Sequence, residues 1–501
     1  MTPTPQQEAI LSAVRDETDP VLVRARAGTG KTTTLTMMAG VMPSGSNLLA
    51  LAFNVKIKKE LEKRFPDWTQ IMTINGLGHR AWGRAIGKRL ILDEKKLGRL
   101  VTATCREAGF NADGDQWAAI RWAVSQAMLQ GLIPSHYPQA TGLVPDDEPT
   151  WAAIGEPMAM TPALLGFARK ALIESIREAF AGNISFDDQI YMSALFNGVF
   201  PRFQNVMVDE AQDLSRLNHI MLKKTLGPDG RPMVVGDECQ SVYAFRGADH
   251  ESMNLIKAMR PSWIELPLSV TFRCPRIVVD RQHAHVPDYE AHESNPLGSF
   301  SVAPPKWDLA KLGCNSGHGV AMLCRNNAPL VTIAFKLIRD GIGCHMIGRD
   351  IGKGLKALAK KIIKPEDMAP AMATAIAEWR DREFSIAQVK DDQAKMDRVE
   401  DQAGCLTAVL EGSQAKSGQS LFEEIEILFS KESGAVTLST GHRAKGLEWP
   451  IVIHLDPWRI PSKFALKNPA ALRQEMNLRY VIETRAQRSL LEANAEEYAN
   501  A

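Results

Sequence analysis

Apolar residues along this chain fall into two alternating patterns, short runs of consecutive aliphatic residues and longer stretches in which they recur at helical spacing. Residues 21–23 (Val-Leu-Val) form the first run; a Gly-containing turn follows, and 33–38 then fit a helix. Residues 47–53 form a second run, trailed by Asn54 and a helical stretch over 55–61, and 71–74 a third, leading into a turn that carries Thr73 and His79. Continuous apolar runs separated by helical segments suit strands buried on both faces, so the pattern predicts a parallel sheet with crossover helices. A short amphipathic helix over 6–14 precedes the first strand. From about 82 to 182 the spacing is helical, clearest over 115–132 and 162–180, with Pro-containing loops at 133–138 and 144–149. Strand-like runs resume at 203–208, 232–235 and 264–268.

A second set follows: runs at 320–324 and 343–348 flank a helix over 329–340, and further runs lie at 435–440 and 450–455 before a last helix over 475–486. Between them, 353–431 is helical and charged, and its Gly404, Gly412 and Gly418 predict a helical hairpin with an exposed loop. The expected fold class is α/β, with two parallel-sheet domains that each carry a helical insertion. The first domain takes 1–85 and 181–275 around an insertion at 86–180, and the second takes 276–352 and 432–501 around a reduced insertion at 353–431.

At 501 residues the chain is too long for one core. Its 45% hydrophobic and 23% charged content is that of a soluble globular protein. The net charge is only +1, from 59 Lys and Arg against 58 Asp and Glu, so any nucleic-acid site must be a local groove. Seven scattered cysteines contain no Cys-x-x-Cys pair, which argues against a disulfide framework or zinc ribbon and fits a reducing cytoplasm. The start of the chain lacks a basic-then-apolar leader, and no apolar run is long enough to span a bilayer. A cytoplasmic protein with no membrane contact is expected.

Candidate chemistry sits where the predicted strands end. The stretch Ala25-Arg26-Ala27-Gly28-Thr29-Gly30-Lys31-Thr32 between a strand and a helix is what a triphosphate cradle requires, because turn amides and a helix N-terminus point donors at phosphates. Lys31 would reach the β- and γ-phosphates, and Thr32 would hold Mg²⁺. The run 203–208 delivers Asp209 and Glu210 to its end, the first suited to Mg²⁺ and the second to the attacking water. After 232–235 come Gln240, able to bridge a γ-phosphate, and Tyr243 and Phe245, which are either stacking platforms for bases or core aromatics. Arg273 lies near a strand end, and Arg485, beside the apolar face of the last helix, is placed to stabilise a transferring phosphoryl group. Lys56, Lys58 and Lys59 read as a solvated face or as strand contacts. His283, His285, Asp288, Glu290 and His292 match no ligand spacing and read as a hydrophilic connecting segment, so no metal beyond nucleotide-bound Mg²⁺ is expected.

In order and wording these motifs resemble the UvrD/Rep-type superfamily 1 DNA helicases, across most of the chain. The resemblance implies two RecA-like P-loop domains with ATP and Mg²⁺ as cofactors. It places Gln6 at the adenine base, Phe272 as the aromatic stacking on it, and Glu448 near the ribose. Ala27, Gly28, Thr29, Gly30, Lys31, Thr32 and Thr33 fall on the phosphate loop, and Asp209 and Glu210 on the Mg²⁺ and catalytic-base positions. Gln240 takes the γ-phosphate-sensing position, and Arg273 and Arg485 those of the two arginines that clamp it. Phe53, Asn54, Thr73, His79, Tyr243, Phe245, Thr440 and His442 fall where the family touches single-stranded DNA, and Lys56 is counted with them. Residues 186–188 (Phe-Asp-Asp) match another recurring segment. Ala25 and Thr33 depart from a frequent Gly and Arg, and 353–431 is much shorter than the accessory subdomain of the best-known members. The expected protein is a monomeric ATP-dependent helicase acting on single-stranded DNA and its junctions with duplex, moving 3′ to 5′. Its rivals are a single-strand-stimulated translocase that strips proteins without unwinding and an ATP-regulated DNA-binding scaffold.

Overall fold

The computed structural model describes residues 2–158, 160–242, 252–314, 319–389, 393–413, 415–430, 433–463 and 465–499. Tyr243 and Phe245 lie outside the described residues. The chain divides into two compact units: 1–25 with 30–268, and 26–29 with 269–501.

The first unit is built on six strands: β1 (Val21–Ala25), β2 (Leu48–Ala52), β3 (Gln70–Thr73), β4 (Asn205–Val208), β5 (Arg231–Gly236) and β6 (Ile264–Leu268). Their order across the sheet is β3-β2-β4-β5-β1-β6, with every pair parallel. Successive strand residues point to opposite faces, and here both faces are buried. Leu22, Leu49, Leu51, Val206, Val208 and Val234 join one core, which continues into the helical insertion through residues such as Trp82, Ile120 and Trp151. Their neighbours Val21, Val23, Ala50, Met207, Met233 and Val235 join a second core with Ile10, Leu35 and Met38 of the opening helices. Each fully buried aliphatic side chain is worth about 1.5–3 kcal/mol, which is why these runs lack the polar alternation of a half-exposed strand. The helices Gly114–Gln130 and Pro162–Ala181 fall close to their expected spans.

The second unit carries β7 (Ser299–Val302), β8 (Val320–Cys324), β9 (Cys344–Met346), β10 (Val436–Thr440), β11 (Trp449–Leu455) and β12 (Ala486–Ala493). The order is β7-β12-β11-β8-β10-β9, again all parallel. The last predicted helix ends earlier than 486: it runs Pro469–Glu483, and the chain then turns into β12. The region 353–431 is not a hairpin. Four helices, Arg349–Ile362, Ala369–Val389, Gln393–Ser413 and Gly418–Ser430, involve it. Gly404 and Gly412 lie inside the third, and a Cβ on Gly412 would stand 2.4 Å from Phe335 Cγ. These glycines are close-approach points rather than breaks. The insertion shares the sheet's hydrophobic core, with Met372, Trp379, Leu406 and Phe422 in one cluster with Met322, Leu438 and Ile453.

Candidate functional site

In the first unit, β4, β5 and β1 are neighbours, so whatever follows their carboxyl ends shares one edge of the sheet. Helix Lys31–Val41 opens at Gly30, whose φ of +80° is open to glycine at no cost, and no side chain caps it. Its first amides are therefore left to bind something else, which is the basis of anion binding at a helix N-terminus. Lys31 Nζ lies 3.3 Å from Glu210 Oε2, and the Thr32 hydroxyl donates to Asp209 Oδ2 at 3.0 Å. Asp209 is buried, and burial together with the Glu210 charge raises its carboxyl to about 6 against the opposing pull of Lys31 and Thr32. Glu210 sits in the left-handed region at φ +52°, a conformation uncommon for a residue with a side chain.

Two residues that the sequence reading passed over connect this pair to Gln240. The Gln212 amide nitrogen donates to Glu210, its carbonyl oxygen accepts the Asp237 backbone amide at 2.9 Å, and Gln240 Nε2 donates to Asp237 Oδ2 at 2.6 Å. Gln212, Asp237 and Gln240 are all buried. Gly236 makes room for the arrangement, since a Cβ there would stand 2.9 Å from Gln212 Oε1. The only signal in the sequence was position, with Gln212 inside the Asp-Glu-x-x-Asp segment and Asp237 at the strand end before Gln240.

Gln6 is half-buried in helix Pro5–Asp16, but the side chain that ties this helix to helix Lys31–Val41 is its neighbour. Gln7 is buried and donates to Thr34 Oγ1 at 3.0 Å, while Thr34 donates to the Gly30 carbonyl at 3.0 Å. Thr33 is half-buried beside Gly30.

The remaining loop residues belong to the second unit. Thr29 is buried and its hydroxyl donates to the Arg26 carbonyl; the Ala27 amide donates to the Tyr480 hydroxyl at 2.8 Å; and the Phe272 amide donates to the Gly28 carbonyl at 2.9 Å. Gly28 has φ +69°, and a Cβ on it would come within 2.5 Å of Arg273 Cβ. Arg273 pairs with Glu448. Phe272 is 47% exposed, its ring 4.6 Å from that of His292. Arg485 follows the final helix instead of lying on it and is almost wholly buried, donating to the carbonyls of Val481 and Leu447 at 2.8 and 3.2 Å. Burial and the nearby Arg273 lower it to about 10, which still leaves it charged at neutral pH.

The expected DNA contacts divide between the units. Phe53 follows β2 half-buried, Asn54 caps helix Val55–Glu62, Lys56 is exposed, and Thr73 caps helix Ile74–Ile86, which carries His79. Phe53 borders a cavity of about 480 Å³ that Asn75, Gln126 and Phe186 also line. His79 Nδ1 lies 3.2 Å from the Gln189 amide nitrogen. In the second unit, Thr440 ends β10 and His442 follows it; burial and Arg325 hold the His442 imidazole down to about 4, so it is neutral at physiological pH.

The segment 283–292 gathers no ligand set: His283 bonds the Tyr289 carbonyl, His285 meets Asn477, and Asp288 pairs with Arg26. His454, Glu483 and Glu492 do approach one another in the second unit. Their carboxylates, however, are taken by Arg479, Arg281 and Gln282, which makes the cluster an ion-pair network. Among the described residues, no helix is long and apolar enough to cross a membrane.

Three family models match the chain: an AAA domain over 2–104, the UvrD/REP helicase N-terminal domain over 172–260, and the UvrD-like helicase C-terminal domain over 381–496. The chain is 24% identical over 572 residues to ATP-dependent DNA helicase UvrD2 of Mycobacterium tuberculosis, covering 96% of this chain and 77% of the relative. It is 22% identical over 611 residues to DNA helicase II of Escherichia coli, covering 95% and 82%, and 21% identical over 630 residues to ATP-dependent DNA helicase PcrA of Bacillus subtilis, covering 98% and 82%. With helicase models matched in both units and relatives of this type aligned along nearly its whole length, the comparisons support a UvrD-type superfamily 1 helicase.

Proposed function

We infer that this protein is an ATP-dependent DNA helicase, using hydrolysis to move along a single strand and separate duplex. The observation that supports it most directly is the connected set on one sheet edge: Lys31 with Glu210, Thr32 with Asp209, and the hydrogen-bond path from Glu210 through Gln212 and Asp237 to Gln240. Lys31 and the open amides of its helix would neutralise the β- and γ-phosphates, and Glu210 would orient and deprotonate the attacking water. Thr32 and Asp209 offer the hard oxygen donors that Mg²⁺ takes, already 3.0 Å apart. Bound there, the ion supplies charge neutralisation on the phosphate oxygens. Arg273 and Arg485 are assigned to the developing charge on the transferred group, and Arg273 packs directly on Gly28 of the phosphate loop. Gln6 and Phe272 are assigned to the adenine and Glu448 to the ribose.

Phe53, Asn54, Lys56, Thr73, His79, Thr440 and His442 are assigned to single-stranded DNA, and Tyr243 and Phe245 as stacking platforms for its bases. The family resemblance implies 3′ to 5′ movement and a preference for single-strand/duplex junctions. ATP hydrolysis with and without single-stranded DNA, followed by strand displacement on duplexes tailed at either end, tests this reading. Hydrolysis that DNA does not stimulate would favour a scaffold, and stimulated hydrolysis without displacement a translocase that clears bound proteins.

A further inference from the structure

We propose that the first unit carries a second DNA site, a basic cavity at the amino-terminal edge of its sheet that takes the phosphodiester backbone of duplex. This rests on the helicase reading above. The cavity encloses about 660 Å³ and is lined by Arg202, Lys223, Lys224, Arg260 and Phe200, with no Asp or Glu. These residues come from segments that precede β4, β5 and β6, so the cavity lies at the end of the strands away from Lys31, Asp209 and Gln240.

In a chain whose charges nearly cancel, four cations around one cavity need an explanation. A solvated basic face is the ordinary one, but it does not fit. Among the described residues, none of the four forms an ion pair. Two are also held in place. Arg260 donates to the carbonyls of Gly227 and Gly230 at 2.8 Å each, and Lys224 donates to the Ala194 carbonyl at 2.7 Å with its ammonium 5.9 Å from the centre of the Phe200 ring. Burial holds Lys224 below the usual lysine range, a cost that an anion alongside would offset. Arg202 and Lys223 are exposed at the rim. Fixed cations inside and exposed ones at the rim suit a ligand that presents several phosphates at once. Duplex DNA, with about one charge per 1.7 Å of axis, is the densest such ligand a helicase meets. The proposed single-strand residues after β2 and β3 lie at the other edge, which leaves this cavity to the duplex.

The test uses the full chain with Arg202→Gln and Lys223→Gln together, both exposed and outside the hydrophobic cores. Affinity for a blunt duplex, for a short single strand and for inorganic phosphate is measured as a function of salt. The double variant is expected to lose duplex affinity, with the slope of log K against log salt shallower by about 2, as for two lost phosphate contacts. Single-strand affinity and DNA-stimulated hydrolysis should stay at the parental level. Unchanged duplex affinity and slope would overturn the site, as would binding of inorganic phosphate that the substitutions weaken while duplex binding is untouched. Loss of charge alone is excluded as the cause if Lys95→Gln with Lys170→Gln, both exposed elsewhere on the unit, leaves the duplex slope unchanged; an equal loss there overturns the site. A parent chain whose hydrolysis DNA does not stimulate would overturn the helicase reading itself.

Discussion

The Gln212 side chain accepts the Asp237 backbone amide at 2.9 Å while donating to Glu210, so the residue assigned to the attacking water is held by a group that also reads the position of Gln240's partner. Gln212 is a positioning residue on this assignment. Replacing it with Ala leaves the buried Asp237 amide without its partner, at a cost of about 1–3 kcal/mol of stability. Gln212→Ala is expected to lower kcat for ATP by about ten-fold while KM for ATP changes little, because the phosphate contacts are untouched. A rise in KM with kcat preserved would show that Gln212 supports nucleotide binding instead.

Lys31 presents its ammonium at the same edge, 3.3 Å from Glu210. Lys31→Ala should reduce DNA-stimulated phosphate release by on the order of 10²–10³-fold, the loss typical when one preorganised charge-stabilising donor is removed. Its melting temperature should remain near the parent's, since the side chain is not part of either hydrophobic core. Turnover near the parental rate would refute the phosphate-loop assignment.

Much of this was readable in advance, for a physical reason. Strands buried on both faces are written as apolar runs, and β1, β2, β4, β5 and β8 are built on such runs, so the residues at their ends, Lys31, Asp209 and Glu210 among them, could be placed. β7 and β12 were missed. Ser299-Phe300-Ser301-Val302 is a largely exposed edge strand, and the sequence of β12, Ala-Gln-Arg-Ser-Leu-Leu-Glu-Ala, has good helix formers that pairing with β11 overrides. Gly404 and Gly412 read as breaks because packing against Ala328 and Phe335 is a tertiary fact. Gln212 and Asp237 carry no local signal of the contacts they make.

Stability at acid pH should depend on the ion-pair network of the second unit. Burial opposes the charge on Glu483, but His454 and Arg479 more than compensate and bring its carboxyl down to about 2 from an ordinary 4.5. A carboxyl lower in the folded than in the unfolded state adds stability that is present above pH 4.5 and is lost as pH falls toward 2. The difference corresponds to about 3 kcal/mol. Thermal melts from pH 7 down to 2.5 are expected to show the parent losing stability more steeply below pH 4.5 than Glu483→Gln, whose residue 483 cannot titrate. Parallel curves would mean that other carboxylates govern acid unfolding.

Asp188 belongs to the Phe-Asp-Asp segment whose part in the fold the sequence left open, and its carboxylate meets Lys96 Nζ at 2.7 Å with both side chains fully buried. Asp188 also accepts the Ser185 backbone amide at 2.7 Å, capping helix Phe186–Leu195, and Lys96 also donates to the Ser175 carbonyl at 2.8 Å. The pair thus joins the insertion helices Lys96–Glu107 and Pro162–Ala181 to the helix that leads back to β4. A buried pair is a poor source of net stability because desolvation offsets the attraction, but leaving one charge alone is costly. Lys96→Met should therefore destabilise the first unit by about 3–5 kcal/mol, and Lys96→Met with Asp188→Leu by markedly less, although the lost helix cap keeps the double variant below the parent. Denaturant unfolding of the parent, the two single variants and the double variant gives the coupling energy directly. A double variant whose loss equals the sum of the single losses would show that the two side chains act independently and that the insertion is anchored by its apolar core alone.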